Sequence, residues 1–142
     1  MDAREHTVDT TESNRRLIGD AFSRWENGDF SAVLGLMAED LEWTIIGTTA
    51  ISGTYTSRQA FQDTVGNMLR KAFTSPIKPT IHKVIADGSD VAVLFESHAE
   101  THTGPDYDQV YCWAMEVVDG RIRRGTAYLD TAMIDAVVSP HL

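Results

Sequence analysis

The dipeptide Asp119-Gly120 sits between two runs of strand-forming residues, "YDQVYCWAMEVV" before it and "RIRRGTAYLDTAMI" after it. Asp-Gly tolerates the positive φ angles of a two-residue type I′ turn, whose twist matches that of paired strands. The pair predicts a long β-hairpin. A hairpin alone is marginal in water, so it needs further strands and a covering layer over its apolar face. The preceding segments supply the strands. "TIHKVIADG" ends in a turn signal, and "DVAVLFESHAETHTG" is rich in β-branched and apolar residues.

The N-terminal half supplies the cover. Leu17, Ile18, Ala21, Phe22 and Trp25 recur at helical spacing and predict a helix over 10–27, capped by Thr11 or Ser13 and stopped by Gly28. Val33, Leu34 and Met37 predict a short helix over 30–37, and "LEWTIIG" reads as a strand bounded by Gly47. Ser57 is a plausible N-cap for a third helix carrying Phe61, Val65, Met68, Leu69 and Phe73, closed by Pro76 and Pro79. Helices and strands are segregated. That order implies an α+β fold with helices on one face of a curved antiparallel sheet. One domain is expected over 1–142, with residues 1–10 a frayed tail.

Bulk properties narrow the function. The net charge of −9 disfavours nucleic acid and anionic membrane surfaces as partners, since both need clustered Lys and Arg. Cys112 is the single cysteine, which excludes an intrachain disulfide and a cysteine metal cluster. No apolar run approaches the ~20 residues of a membrane-spanning helix. The polar start "MDAREHTVDTTESN" lacks a signal-peptide core, so a cytoplasmic protein is expected.

Strand parity sorts the candidate residues. On the final strand Ile122, Arg124, Thr126, Tyr128 and Asp130 share a side. On its partner Gln109, Tyr111, Trp113, Met115 and Val117 share the more aromatic side, taken as concave. Glu96, His98, Glu100 and His102 share a parity one strand earlier, although a bulge can swap faces midway. A carboxylate inside an apolar wall has its pKa raised and suits general acid or base work, which singles out Asp130. His98, titrating near neutrality, is a natural proton partner, with Glu96 two residues away. The alternatives are plain: Asp130 hydrogen-bonds a loop or faces water, and "ESHAETH" is a solvated strand. Metal is not expected, because positions i and i+4 of a strand lie ~13 Å apart, too far to share an ion.

The helices, the "GTYTSRQAF" link, the run Gly104, Tyr107, Tyr111 and the ending "VDGRIRRGTAYLDTA" resemble the SnoaL-like group of the NTF2-like superfamily over residues 12–135. The resemblance implies a cone, a bent antiparallel sheet wrapped around helices (an α+β barrel), with a pocket in its mouth. It implies a cofactor-free isomerase, cyclase, dehydratase or hydrolase acting on a hydrophobic, oxygenated or polyketide-like compound. Asp130, His98 and Glu96 are then the catalytic candidates, and a hydroxyl of Tyr111 or Tyr128 the oxyanion donor. Trp43, Tyr55, Phe61, Met68, Tyr111, Trp113, Met115 and Tyr128 are the expected pocket lining, whereas Trp25, Phe22 and Phe30 are expected to fill the core. The epoxide hydrolases of this fold use an Asp-Arg-Asp arrangement. Aligned back from the hairpin, its Arg and first Asp fall on Glu96 and His98, so only the last acid, Asp130, is kept. Ketosteroid isomerases use a base on the first strand, where Glu42 stands here. A non-catalytic ligand-binding module and a dimeric protein-interaction domain are the other readings. Related folds pair through the outer sheet face, so a homodimer is expected, with Val110, Cys112, Ala114 and Val118 on that face.

Overall fold

The computed structural model describes residues 3–142, with side chains from residue 10 onward. Helix α1 spans Ala3–Glu26, and the expected frayed tail falls largely on residues whose side chains lie outside those described. Thr11 and Ser13 are inside this helix and do not cap it. Thr11 Oγ1 instead accepts from Gly88 N at 2.7 Å, and the buried Asn14 Nδ2 donates to Gly88 O at 3.0 Å. Both ties fasten α1 to the turn between two strands.

A short helix α2, Ser31–Leu34, leads into strand β1, Met37–Ile45. The strand begins four residues earlier than the sequence pattern suggests. Met37 pairs with Ile122, and Leu36 O accepts from Ile122 N at 2.8 Å. Sheet pairing overrides the helical spacing of Val33, Leu34 and Met37. Strand β2, Gly53–Tyr55, occupies what reads as loop. Ser57 Oγ caps the third helical segment, accepting from Ala60 N at 3.0 Å. That segment runs as α3 (Arg58–Phe61), a π-helical turn (Gln62–Gly66) and α4 (Asn67–Ala72).

Strands β3 (Lys78–Asp87), β4 (Asp90–Ala99), β5 (Tyr107–Val118) and β6 (Arg121–Leu129) complete the sheet. The β5–β6 turn is as expected: Asp119 and Gly120 have φ of 52° and 74°. The order is β2-β1-β6-β5-β4-β3, and the sheet does not close. Its pairings are antiparallel except β1 with β6, which is parallel, a departure from the expected all-antiparallel sheet. Helix α5, Thr131–Val138, follows β6 where the sequence reading continues the strand.

The core lies between the helices and the inner sheet face. Phe22 packs edge-on against Phe95 and Trp113, with ring centroids 5.5 and 5.7 Å away. Trp43 lies across β6 because its partner there is Gly125. A Cβ on Gly125 would stand 2.3 Å from Trp43 Cζ3, so the register needs glycine at this close approach.

Candidate functional site

A cavity of about 700 Å³ opens between the inner sheet face, the end of α1 and the α3–α4 segment. Buried Trp43, Trp113 and Phe61 form its wall, with Tyr111, Ala127, Leu129 and Ile134. Trp25 and Phe30, expected as core filling, also line it. Its exposed lining residues, Glu26, Asn27, Gly28, Arg70, Pro76 and Lys78, mark the mouth. Two rows of the third helical segment face it, Phe61, Val65, Leu69 and Gln62, Gly66, Arg70. The π turn between them keeps both rows on one side, as π turns often do at functional sites.

Two tyrosines supply the main polar chemistry. The hydroxyls of Tyr107 and Tyr111 share a 2.5 Å hydrogen bond. Tyr107 is fully buried beside Phe73, and Tyr111 stacks on Phe95 with centroids 4.7 Å apart. Burial pushes the Tyr107 pKa up to about 12, and pushes Tyr111 well above its ordinary value. Both therefore stay protonated at neutral pH, as hydrogen-bond donors. Buried Ser97 Oγ and Trp113 Nε1 make no hydrogen bond among the described residues. Tyr107 was missed as a lining residue, although its parity with Gln109, Tyr111 and Trp113 is visible in the sequence.

The expected acid-base residues lie elsewhere. Between Glu116 and Val117 of β5 the register with β6 shifts, because Arg123 is an extra residue. This β-bulge swaps the strand's faces. Ile122 points inward, and after the bulge so do Gly125, Ala127 and Leu129. Tyr128 turns outward and is 49% exposed. Asp130 is exposed and is the N-cap of α5. Its carboxylate accepts from Ala132 N at 3.1 Å and Met133 N at 3.4 Å. Buried Gln109 holds its backbone, with Oε1 accepting from Asp130 N at 2.7 Å and Nε2 donating to Asp130 O at 2.9 Å. The signal for this cap was present: Met133, Ile134, Val137 and Val138 follow Asp130 at helical spacing.

Glu96 and His98 project from the outer face, since Val93, Phe95, Ser97 and Ala99 take the inner one. His98 Nδ1 pairs with Asp108 at 2.7 Å, and His82 Nε2 with Glu96 at 3.4 Å. The Asp108 hydrogen bond raises the His98 pKa. Glu42 is also exposed and stands 3.6 Å from Arg124. Besides Tyr128, three expected lining residues stay off the cavity wall. Met115 is buried in the core, and Met68 packs against the core from α4. Tyr55 donates its hydroxyl to Ile51 O at 2.6 Å. Trp43, Phe61, Tyr111 and Trp113 line the cavity. Among the described residues no group of three or more His, Cys, Asp or Glu stands close enough to hold a metal ion.

Solved structures share this architecture. Bal32a from a soil-derived mobile gene cassette superposes with a TM-score of 0.75 at 21% identity, covering 91% of this chain and 98% of its own. An NTF2-like protein from Burkholderia xenovorans gives 0.66 at 20%, covering 90% and 97%. An LEH-like epoxide hydrolase from M. tuberculosis gives 0.65 at 20%, covering 91% and 92%. Identities this low establish the fold, which is that of the NTF2-like superfamily. Within it, the sequence model of the SnoaL-like domain matches residues 18–125, and the chain belongs to that family. No curated protein sequence matches this one. No helix among the described residues is long and apolar enough to cross a membrane.

Proposed function

We propose that this chain binds a hydrophobic, oxygenated, cyclic small molecule in the cavity, with the Tyr107–Tyr111 pair donating a hydrogen bond to a ligand oxygen. The observation that carries the reading is the pair itself: two enclosed, protonated hydroxyls on an otherwise aromatic and aliphatic wall. Such a pocket encloses an apolar body and fixes its orientation through few polar groups. In a dry wall one neutral hydrogen bond contributes about 1 kcal/mol. Tryptophan fluorescence reports occupancy, because Trp25, Trp43 and Trp113 line the cavity. A neutral aryl ketone such as 2-acetylnaphthalene should quench it, and Tyr111→Phe should weaken binding by about fivefold. Saturable quenching that ignores Tyr111→Phe, or no quenching, would sink the reading.

A proton-transfer enzyme is the second reading, favoured by Glu26. Among the described residues it is the one carboxylate lining the cavity. In this reading Glu26 removes a proton α to a carbonyl whose oxygen the tyrosine pair holds as negative charge develops. The enzyme should then exchange the methyl protons of bound 2-acetylnaphthalene for deuterium in D2O, and Glu26→Gln should slow that exchange by about a hundredfold. Exchange no faster than in buffer leaves the binding module. A homodimer through the outer sheet face fits either reading. Val110 is 62% exposed there, with Leu94, Ala114 and Tyr128 beside it.

A further inference from the structure

We infer that the ring system bound in the cavity carries an unbranched alkyl tail, which leaves past Gly66 and lies in the groove between α4 and the segment 73–77. The inference rests on the cavity being a ligand site, as proposed above. The groove is a second cleft, of about 400 Å³, beside the cavity of about 700 Å³. The two share Gly66, Leu69, Arg70, Pro76 and Ile77, so one surface runs from the aromatic wall into the groove. Leu69, Phe73, Pro76 and Ile77 give the groove its apolar side chains, and all four keep some exposure to solvent. An enclosed aromatic chamber continued by a half-open apolar groove matches a ring with an aliphatic chain attached.

Gly66 stands at the junction, and neither backbone nor packing requires it to be glycine. Its φ of −59° and ψ of −43° are ordinary helical values open to any residue. Glycine is among the poorest residues for the interior of a helix. A Cβ built there would meet only Arg70 Nη2, at 3.7 Å, an ordinary contact. What the glycine supplies is room. Positions 66, 69, 70 and 73 follow at spacings of three and four, share one face of the helix and all line the groove. From 66 to 73 the helix rises about 10 Å, enough for a chain of medium length to lie along it. The groove also stands ready before a ligand arrives, because its other wall is tied to the end of the sheet. Thr74 N donates to Glu100 O at 2.8 Å, Ser75 Oγ accepts from Glu100 N at 2.8 Å, and Phe73 bridges to Thr101. The Arg70 guanidinium donates to the exposed Asn67 through Nη2. Its charge is thus engaged on the solvent side, and its methylenes remain to cover a chain.

Two probes test this that share an aryl ketone and differ only in the tail, 2-acetyl-6-methoxynaphthalene and 2-acetyl-6-hexyloxynaphthalene, titrated by tryptophan fluorescence. The wild-type protein should bind the hexyloxy ketone about thirtyfold more tightly, half in free energy of what full burial of its extra methylenes would give. Gly66→Leu should plug the junction and bring the ratio of the two affinities to about one. Ile77→Asn, on the other wall of the groove, should lower that ratio to about fivefold, and it decides the matter where Gly66→Leu does not fold. Equal or weaker binding of the hexyloxy ketone by the wild type overturns the tail assignment and leaves the ring site standing. A wild-type ratio that survives in the deciding variant also overturns it, because the margin then reports only the hydrophobicity of the probe. Binding of neither probe by the wild type overturns the inference together with the reading on which it rests.

Discussion

Strands β4, β5 and β6 carry two different chemistries on their two faces. The outer face holds Glu96, His98, Asp108 and Tyr128, with both His98 and Glu96 in exposed ion pairs. The inner face holds Phe95, Trp113, Tyr107 and Tyr111, where burial drives tyrosine pKa values up. The histidine and the carboxylates are therefore outside, in water. Groups that keep their protons are inside, against the ligand space. A strand residue's chemical type suggests a role, but its face decides whether the role can be performed.

The sharpest break in this comparison is truncation. Trp113→Ala removes a ring shared by Phe22, Trp25, Trp43, Phe95 and Tyr111, and should lower the unfolding free energy in urea by about 3–5 kcal/mol. Tyr128→Ala on the outer face should change it by less than ~1 kcal/mol. Equal losses would mean that the two faces are not differently packed.

The pH dependence sharpens the comparison next. Tyr107 has a folded pKa of about 12, above the ordinary value of 10.0 in the unfolded chain. A raised folded pKa gives stability that is fully present below pH ~10 and is lost as pH climbs through about 12. The loss should be about 2–3 kcal/mol over that window, read from urea midpoints at successive pH values. Tyr107→Phe with Tyr111→Phe should reduce the slope, leaving the part that partly buried Tyr55 contributes, and a slope unchanged by both substitutions would refute burial of the pair.

The smallest effect belongs to Asp130. As a helix cap it should lose about 1 kcal/mol on Asp130→Ala and almost nothing on Asp130→Asn, because Asn caps as well. Neither change should alter ligand binding to the cavity. A large loss of binding in Asp130→Asn, with the fold intact, would return the carboxylate to the site.

Much of the architecture is legible in the residues. Asp119-Gly120 specifies its turn, the spacing from Leu17 to Trp25 specifies its helix, and the parity of Tyr111 and Trp113 specifies an inner wall. Each signal is local and periodic. The site was less legible because one irregular residue decided it. Arg123 and Arg124 are both polar, so no hydrophobic pattern marks the bulge between Ile122 and Gly125. Counting past it without that knowledge turns every later residue of β6 to the wrong side. Helix α5 was hidden for a related reason, since "AYLDTAMI" also satisfies a strand pattern until the cap on Asp130 is recognised. The mouth was hidden too. The end of α1, the row from Gln62 to Arg70 and the segment Pro76–Ile77 come together there, and a one-dimensional pattern carries no such proximity.

The bulge at Arg123 also has an evolutionary consequence. Loss of that single codon would regularise the strand and keep Ile122, Gly125, Ala127 and Leu129 inward, whereas a relative that keeps every residue but pairs without the bulge would turn Thr126 and Tyr128 inward and Ala127 and Leu129 outward. A hydroxyl-bearing wall and an aliphatic wall are thus one bulge apart. Lineages carrying the same Tyr-x-Asp letters can differ in whether those letters face a ligand, and gap placement in this strand separates them where residue identity does not.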